Sequence, residues 1–134
     1  MLFLVYLFVI HFIADFLCQS RWMATNKSSN LQALSYHIAI IFLAFFGGLL
    51  IAGANLLAAA TFSFANAAIH ALIDWNIWRG YKWYVLRKFT DENGEVAVSD
   101  AQAFHYWEDH WFYATIGLDQ FLHGATILLL VGVL

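Results

Sequence analysis

The chain has 134 residues, of which 63% are hydrophobic and 11% charged, against about a quarter charged in an ordinary soluble domain. That composition excludes a disordered chain. Six Lys and Arg against nine Asp and Glu, a formal net charge of -3, leave no basic surplus for a nucleic-acid partner.

One domain of this length has too small an interior to hide so much apolar surface, whereas a bilayer takes it up directly. The chain therefore reads as a single all-α integral membrane domain over residues 1–134. Met1 to Leu17 is apolar apart from His11 and Asp15. It lacks the basic start and small-residue cleavage site of a signal peptide, so a first span is expected over about 1–19. Cys18, the single cysteine, cannot form an internal disulfide and reads as a small buried apolar residue. Leu31 to Ile73 carries no Asp, Glu, Lys or Arg and exceeds one crossing of about 20 residues. Its glycines and asparagine between Gly47 and Asn55 place a turn there, predicting spans at about 33–52 and 56–75.

Residues 76–110 form the one sizeable polar region, divided at Thr90 to Gly94 into two amphipathic pieces. The first, Ile77 to Phe89, mixes Trp78, Tyr81, Trp83 and Tyr84 with Arg79, Lys82, Arg87 and Lys88, as a helix lying among lipid headgroups would. The second opens on Ser99-Asp100-Ala101-Gln102, a capping box. A fourth span is expected over 111–134. The predicted fold is a four-transmembrane-helix bundle with a cytoplasmic amphipathic helical insert between helices 3 and 4.

Arg21 and Lys27 follow span one, and Arg79, Lys82, Arg87 and Lys88 follow span three, so all six lie on one side. The positive-inside rule makes that side cytoplasmic and puts both termini on the periplasmic or extracellular side. Lys27 reads as a topology signal that snorkels to headgroups. Arg21 and Arg79 serve equally as that signal or as substrate-binding residues that collect an anionic group.

Three spans carry His and Asp four residues apart, at His11 and Asp15, His70 and Asp74, and Asp119 and His123; span two adds His37. Four residues is about one helical turn, so each pair shares a face. At about 1.5 Å per residue from the basic loops, His11 and His70 lie roughly 13 Å deep, Asp119 roughly 12 Å and His37 roughly 10 Å. Isolated ionisable groups at such depths are costly, so the seven are expected to meet. Imidazole with carboxylate is the donor set that zinc, manganese or iron prefers, zinc first, with one ion or two bridged by a carboxylate. The bland alternative is a set of hydrogen-bonded pairs that hold the bundle together. Asn66, one turn before His70, can donate to a ligand or simply join helices. His105 and Asp109 repeat the four-residue spacing and can cap the site or stand as exposed polar residues. A faint repeat, His11-Phe-Ile-Ala-Asp15-Phe and His70-Ala-Leu-Ile-Asp74-Trp, each followed by an arginine, relates the two hairpins by an axis along the membrane normal.

His11-Phe-Ile-Ala-Asp15-Phe-Leu-Cys-Gln19, Trp22-Met23-Ala24 with Lys27, His37, His70-Ala-Leu-Ile-Asp74 and Asp119-Gln120-Phe-Leu-His123 together resemble a family of small bacterial and phage membrane proteins of unknown function. The resemblance spans all four predicted helices and implies a phage or prophage inner-membrane protein. A looser likeness, carried by the His and Asp pairs, is to membrane-bound metal-dependent hydrolases. The insert containing Phe104 to His110 is longer than the loop associated with the family.

The leading expectation is a membrane-embedded hydrolase of an amphiphilic phosphate or acyl substrate, with Asp15, Asp74 and Asp119 catalytic. Its partners are the bilayer and that substrate, with homo-oligomer packing through the small residues from Gly47 to Gly53. The alternatives are a metal-ion or proton transporter and a non-enzymatic interaction protein with a structural polar network.

Overall fold

The computed structural model describes residues 1–97 and 104–134. Helix α1, Leu2–Phe12, runs on into a π-helical turn over Ile13–Leu17. There the Cys18 N–H reaches back to the Ile13 carbonyl at 2.9 Å, one residue further than in an α-helix. A six-residue helix α2, Arg21–Asn26, follows behind the Ser20 cap, whose hydroxyl accepts from the Met23 N–H. Helix α3 covers Leu31–Ile51, with the Asn30 side chain accepting from the N–H groups of Gln32 and Ala33. Helix α4 covers Leu56–Lys88 behind an Asn55 cap, and α5, His110–Leu130, is capped by Asp109. Asparagine, serine and aspartate satisfy N–H groups that a helix start leaves open, which is why α2, α3, α4 and α5 begin where they do.

Between α3 and α4 the chain reverses at Gly53, whose φ of +86° only glycine adopts freely. The Gly53 N–H donates to Leu50 and the Ala54 N–H to Leu49, closing the end of α3 in a Schellman turn. The predicted break at Gly47 to Asn55 therefore falls at its glycine-asparagine end. Gly48 lies inside α3 for a different reason: a Cβ there would collide with Ile10, and Tyr6 Oη donates to its carbonyl at 2.8 Å.

Helix α1 packs against α3 and α5, and α4 packs against the same two. The four long helices thus form a closed ring in the order α1, α3, α4, α5. One end of the interior is apolar, with Leu7, Phe45, Leu49, Phe62 and Ile127 fully buried and the Phe45 and Phe62 rings 5.6 Å apart. The other end is polar and holds the His and Asp residues. Large apolar side chains, among them Leu43, Phe64, Leu72 and Phe121, face outward. By length and composition α3 and α4 are able to cross a membrane, while Leu2–Leu17 is apolar but shorter.

Two local expectations are corrected. The segment from Ile77 to Phe89 is no separate headgroup helix: α4 continues unbroken to Lys88. The chain has no proline to stop it, and Trp78 and Tyr81 are held against Phe112 of α5, at 6.0 and 5.8 Å between ring centroids. Cys18 is exposed rather than buried, because the π turn ends there. After α4, Thr90 and Val96 form an isolated antiparallel bridge, and a 3-10 turn, Tyr106–Glu108, leads into α5. The capping box at Ser99 to Gln102 lies outside the described residues.

Candidate metal centre

Seven residues singled out by spacing meet inside the ring. His11 and Asp15 come from α1 and its π turn, His37 from α3, His70 and Asp74 from α4, and Asp119 and His123 from α5. All seven are at most 5% exposed. The imidazole Nε2 atoms point inward at the carboxylates. His37 Nε2 stands 3.2 Å from Asp15 Oδ1 and 3.1 Å from Asp74 Oδ2, and His70 Nε2 is 3.3 Å from Asp74 Oδ2. His123 Nε2 lies 3.6 Å from Asp119 Oδ1 and 3.8 Å from Asp74 Oδ1, and its ring stacks on His70 with centroids 3.7 Å apart.

Ligand atoms fall within mutual reach in three overlapping groups: Asp15, His37 and His70; His70, Asp74 and His123; and Asp15, Asp119 and His123. These buried groups can hold a metal ion. His11 stands outside the three groups; its Nε2 is 3.3 Å from Gln120 Oε1 and 3.8 Å from Asp15 Oδ2. Two buried atoms remain open at the middle of the cluster, since among the described residues Asp119 Oδ1 and His123 Nε2 have no hydrogen-bond partner. Such orphans are costly in a dry interior, and a cation at their shared focus is what this donor set suits.

Two members of the centre were not assigned there from the sequence. Lys27, read as a topology signal, is 5% exposed and turns inward from the α2–α3 connection. Its ammonium sits 2.8 Å from Asp74 Oδ1, 3.4 Å from Asp15 Oδ1 and 3.4 Å from His37 Nε2. Burial opposes its charge, but the Asp74 and Asp15 carboxylates outweigh burial and hold its pKa above the ordinary value. Gln120 Nε2 donates to Asp15 Oδ2 at 3.0 Å and to Asp119 Oδ2 at 3.1 Å, tying the first helix to the last. A demand for charge balance points to Lys27, since three buried carboxylates need cations; Gln120, being uncharged, escapes any search for ionisable groups.

The repeat takes physical form here, because Asp15 and Asp74 are bridged by the same Lys27 and the same His37. The other candidates lie apart. Arg21 is exposed on α2, and Arg79 is exposed with its guanidinium 4.8 Å above the Trp75 ring. Asn66 is buried, but its Nδ2 has no partner among the described residues and donates to none of the seven. Asp109 caps α5 and accepts from Tyr81 Oη at 3.0 Å, and His105 is exposed beside Trp107. An open cavity of about 670 Å³ reaches the centre from the side of α2, with Asp15, Lys27, Asp119 and Gln120 in its wall.

Comparison with curated proteins and with solved structures gives no match. A family model does match, over residues 3–134, almost the whole chain that builds this ring and its polar centre. The chain belongs to that family, described as a protein of unknown function (DUF3307).

Proposed function

We propose that this chain is a four-span protein of the bacterial inner membrane that holds a divalent metal ion and uses it to hydrolyse an amphiphilic phosphate or acyl substrate. The observation that carries the reading is the meeting of buried imidazole and carboxylate atoms within reach of a single ion, with Asp119 Oδ1 and His123 Nε2 left without a partner among the described residues. Three carboxylates and the Lys27 ammonium sum to -2 with neutral imidazoles, which one divalent ion offsets. Two such ions beside Lys27 would overcompensate, so the balance favours one. His70, Asp74 and His123, one of the groups within mutual reach, would hold it, with Asp119 beside His123, and this mixed nitrogen and oxygen set suits zinc, then manganese or iron.

When bound, such an ion supplies Lewis acidity and an activated water at neutral pH. The protein's own part is positional. Gln120 fixes the Asp15 and Asp119 carboxylates by donating to both, and Lys27 keeps Asp15 and Asp74 from repelling each other. Asp15 borders the open cavity and is the carboxylate set to take a proton from an attacking water at Oδ2. Transport is disfavoured by the buried apolar layer of Leu7, Phe45, Phe62 and Ile127 beyond the centre, which offers an ion no polar path.

For topology, the support is the apolar outer face and the length of α3 and α4. Elemental analysis of protein purified in mild detergent without chelator tests the centre. One equivalent of zinc, manganese or iron per chain is expected, lost in a His70→Ala, Asp74→Ala variant and kept in His11→Ala. A metal-free wild type with intact fold would turn the cluster into a purely structural network and end the hydrolase reading.

A further inference from the structure

The 670 Å³ cavity has two unlike ends. Where it meets the centre it is bordered by the buried Asp15, Lys27 and Asp119. Most of the remaining wall is apolar and aromatic, with Trp78, Val85, Leu86, Phe89, Phe112 and Ile116. At about 30 Å³ for a water-sized group, it takes roughly twenty such groups, one hydrocarbon chain rather than two.

Beside it lies a second recess of about 320 Å³, lined by Ser28, Ser29, Trp75, Arg79 and Lys82. Ser28 and Lys82 line both spaces, so the two adjoin. Lys82 Nζ donates to the Thr25 carbonyl at 3.1 Å, which holds its ammonium at the shared wall. Arg79, stacked on Trp75, keeps its planar N–H fork available for an anion. Among the described residues the recess thus offers two cationic groups, two hydroxyl-bearing residues and no carboxylate. A third observation concerns the larger cavity, where Trp78 Nε1 and Gln19 Oε1 are buried in the wall without a partner among the described residues. A plain hydrocarbon would leave both unpaired and each short of the hydrogen bond it makes in water. A ligand carrying an acceptor and a donor near its head satisfies both.

We infer that the two recesses form one binding site for a single-chain lipid phosphate. The phosphate lies against Arg79, Lys82 and Ser28, the chain runs along Trp78, Leu86 and Phe112, and polar atoms at the head pair with Trp78 and Gln19. The site supplies the substrate class for the hydrolase proposed above and rests on that reading for its catalytic meaning, but not for binding. Its position at the end of α4 that carries the basic residues puts the head at headgroup level, with the centre one wall away.

The test is calorimetric titration of detergent-solubilised protein with a single-acyl lysophosphatidate, with a short isoprenyl phosphate, with a monoacylglycerol of matched chain and with inorganic phosphate. At least one lipid phosphate should bind tenfold or more tightly than the monoacylglycerol and inorganic phosphate, and the tighter of the two identifies the chain type. Arg79→Gln with Lys82→Gln should weaken that binding at least tenfold, as should Val85→Trp, which fills the apolar part. Arg87→Gln with Lys88→Gln removes equal charge outside the recess and should leave it unchanged. Equal binding of monoacylglycerol, or an equal loss in the Arg87 and Lys88 variant, would overturn the site. Metal per chain, measured on the same samples, separates the two ideas: lipid phosphate bound without metal sinks only the hydrolase, and metal without lipid phosphate sinks only this site.

Discussion

Lys27 occupies the position in which its removal is most informative. Its ammonium is buried between Asp74 and Asp15, and deleting one partner of a buried ion pair leaves the other charge uncompensated, at about 3–5 kcal/mol. A Lys27→Met variant should therefore melt well below the wild type when stripped of metal. Restoring divalent zinc should raise its Tm by more than it raises that of the wild type, because the added charge then offsets a deficit of three carboxylates instead of two. Equal shifts in both proteins would mean that Lys27 and the ion answer to different carboxylates. Six of the seven clustered residues were legible in the sequence because a four-residue spacing is local and fixes a shared helix face whatever the tertiary fold, and His37 because it is the one histidine in a span free of Asp, Glu, Lys and Arg. Lys27 was not, since its approach depends on how the short α2 segment turns the chain back over the ring, and nothing in its neighbours records that. Arg21 and Arg79 carried the same sequence signal as Lys27 and stayed at the surface, so charge and position alone do not separate a buried counter-ion from an exposed topology signal.

Helix contacts decide the next level. The close approach of α1 to α3 runs through Gly48, where Ile10 fills the space a side chain would need. Gly48→Val should cost about 1–3 kcal/mol through overpacking, read as a lowered Tm with metal content unchanged. At the opposite end α4 and α5 are joined by Tyr81 and Asp109. Burial, then the Asp109 carboxylate, raises the Tyr81 pKa above its usual 10. A raised pKa means that this contribution to stability is fully present below pH 10 and is lost as pH climbs through the folded-state value. Alkaline titration followed by phenolate absorbance should show one late tyrosine that disappears in Tyr81→Phe. The turn at Gly53 and the start of α4 were legible because asparagine caps and glycine ends act through nearest neighbours. The far end of α4 was not: its amphipathic last turns read as a separate helix, and only packing on Phe112 shows that the helix has no reason to stop.

On the scale of the molecule, α4 sets the geometry. Its 33 residues extend about 50 Å, beyond a hydrocarbon layer of about 30 Å, so its last turns, with Arg79, Lys82, Arg87 and Lys88, stand clear of any bilayer the first part crosses. The polar centre then lies in the half of the ring nearest those basic residues, and the apolar plug of Phe45, Phe62 and Ile127 fills the other half. The proposed four spans with the basic ends cytoplasmic would place Cys18, the chain's single and exposed cysteine, on the cytoplasmic side, and the α3–α4 turn at Ala52 on the other. In intact cells a membrane-impermeant maleimide should therefore leave Cys18 unlabelled and should modify Ala52→Cys in a Cys18→Ser background, and permeabilisation should expose Cys18. Labelling of Cys18 in intact cells would invert the orientation and put the lipid-facing cavity on the outer leaflet. Labelling of both positions without permeabilisation would remove the membrane crossing altogether, leaving the outward Leu43, Phe64, Leu72 and Phe121 side chains to be covered by copies of the chain.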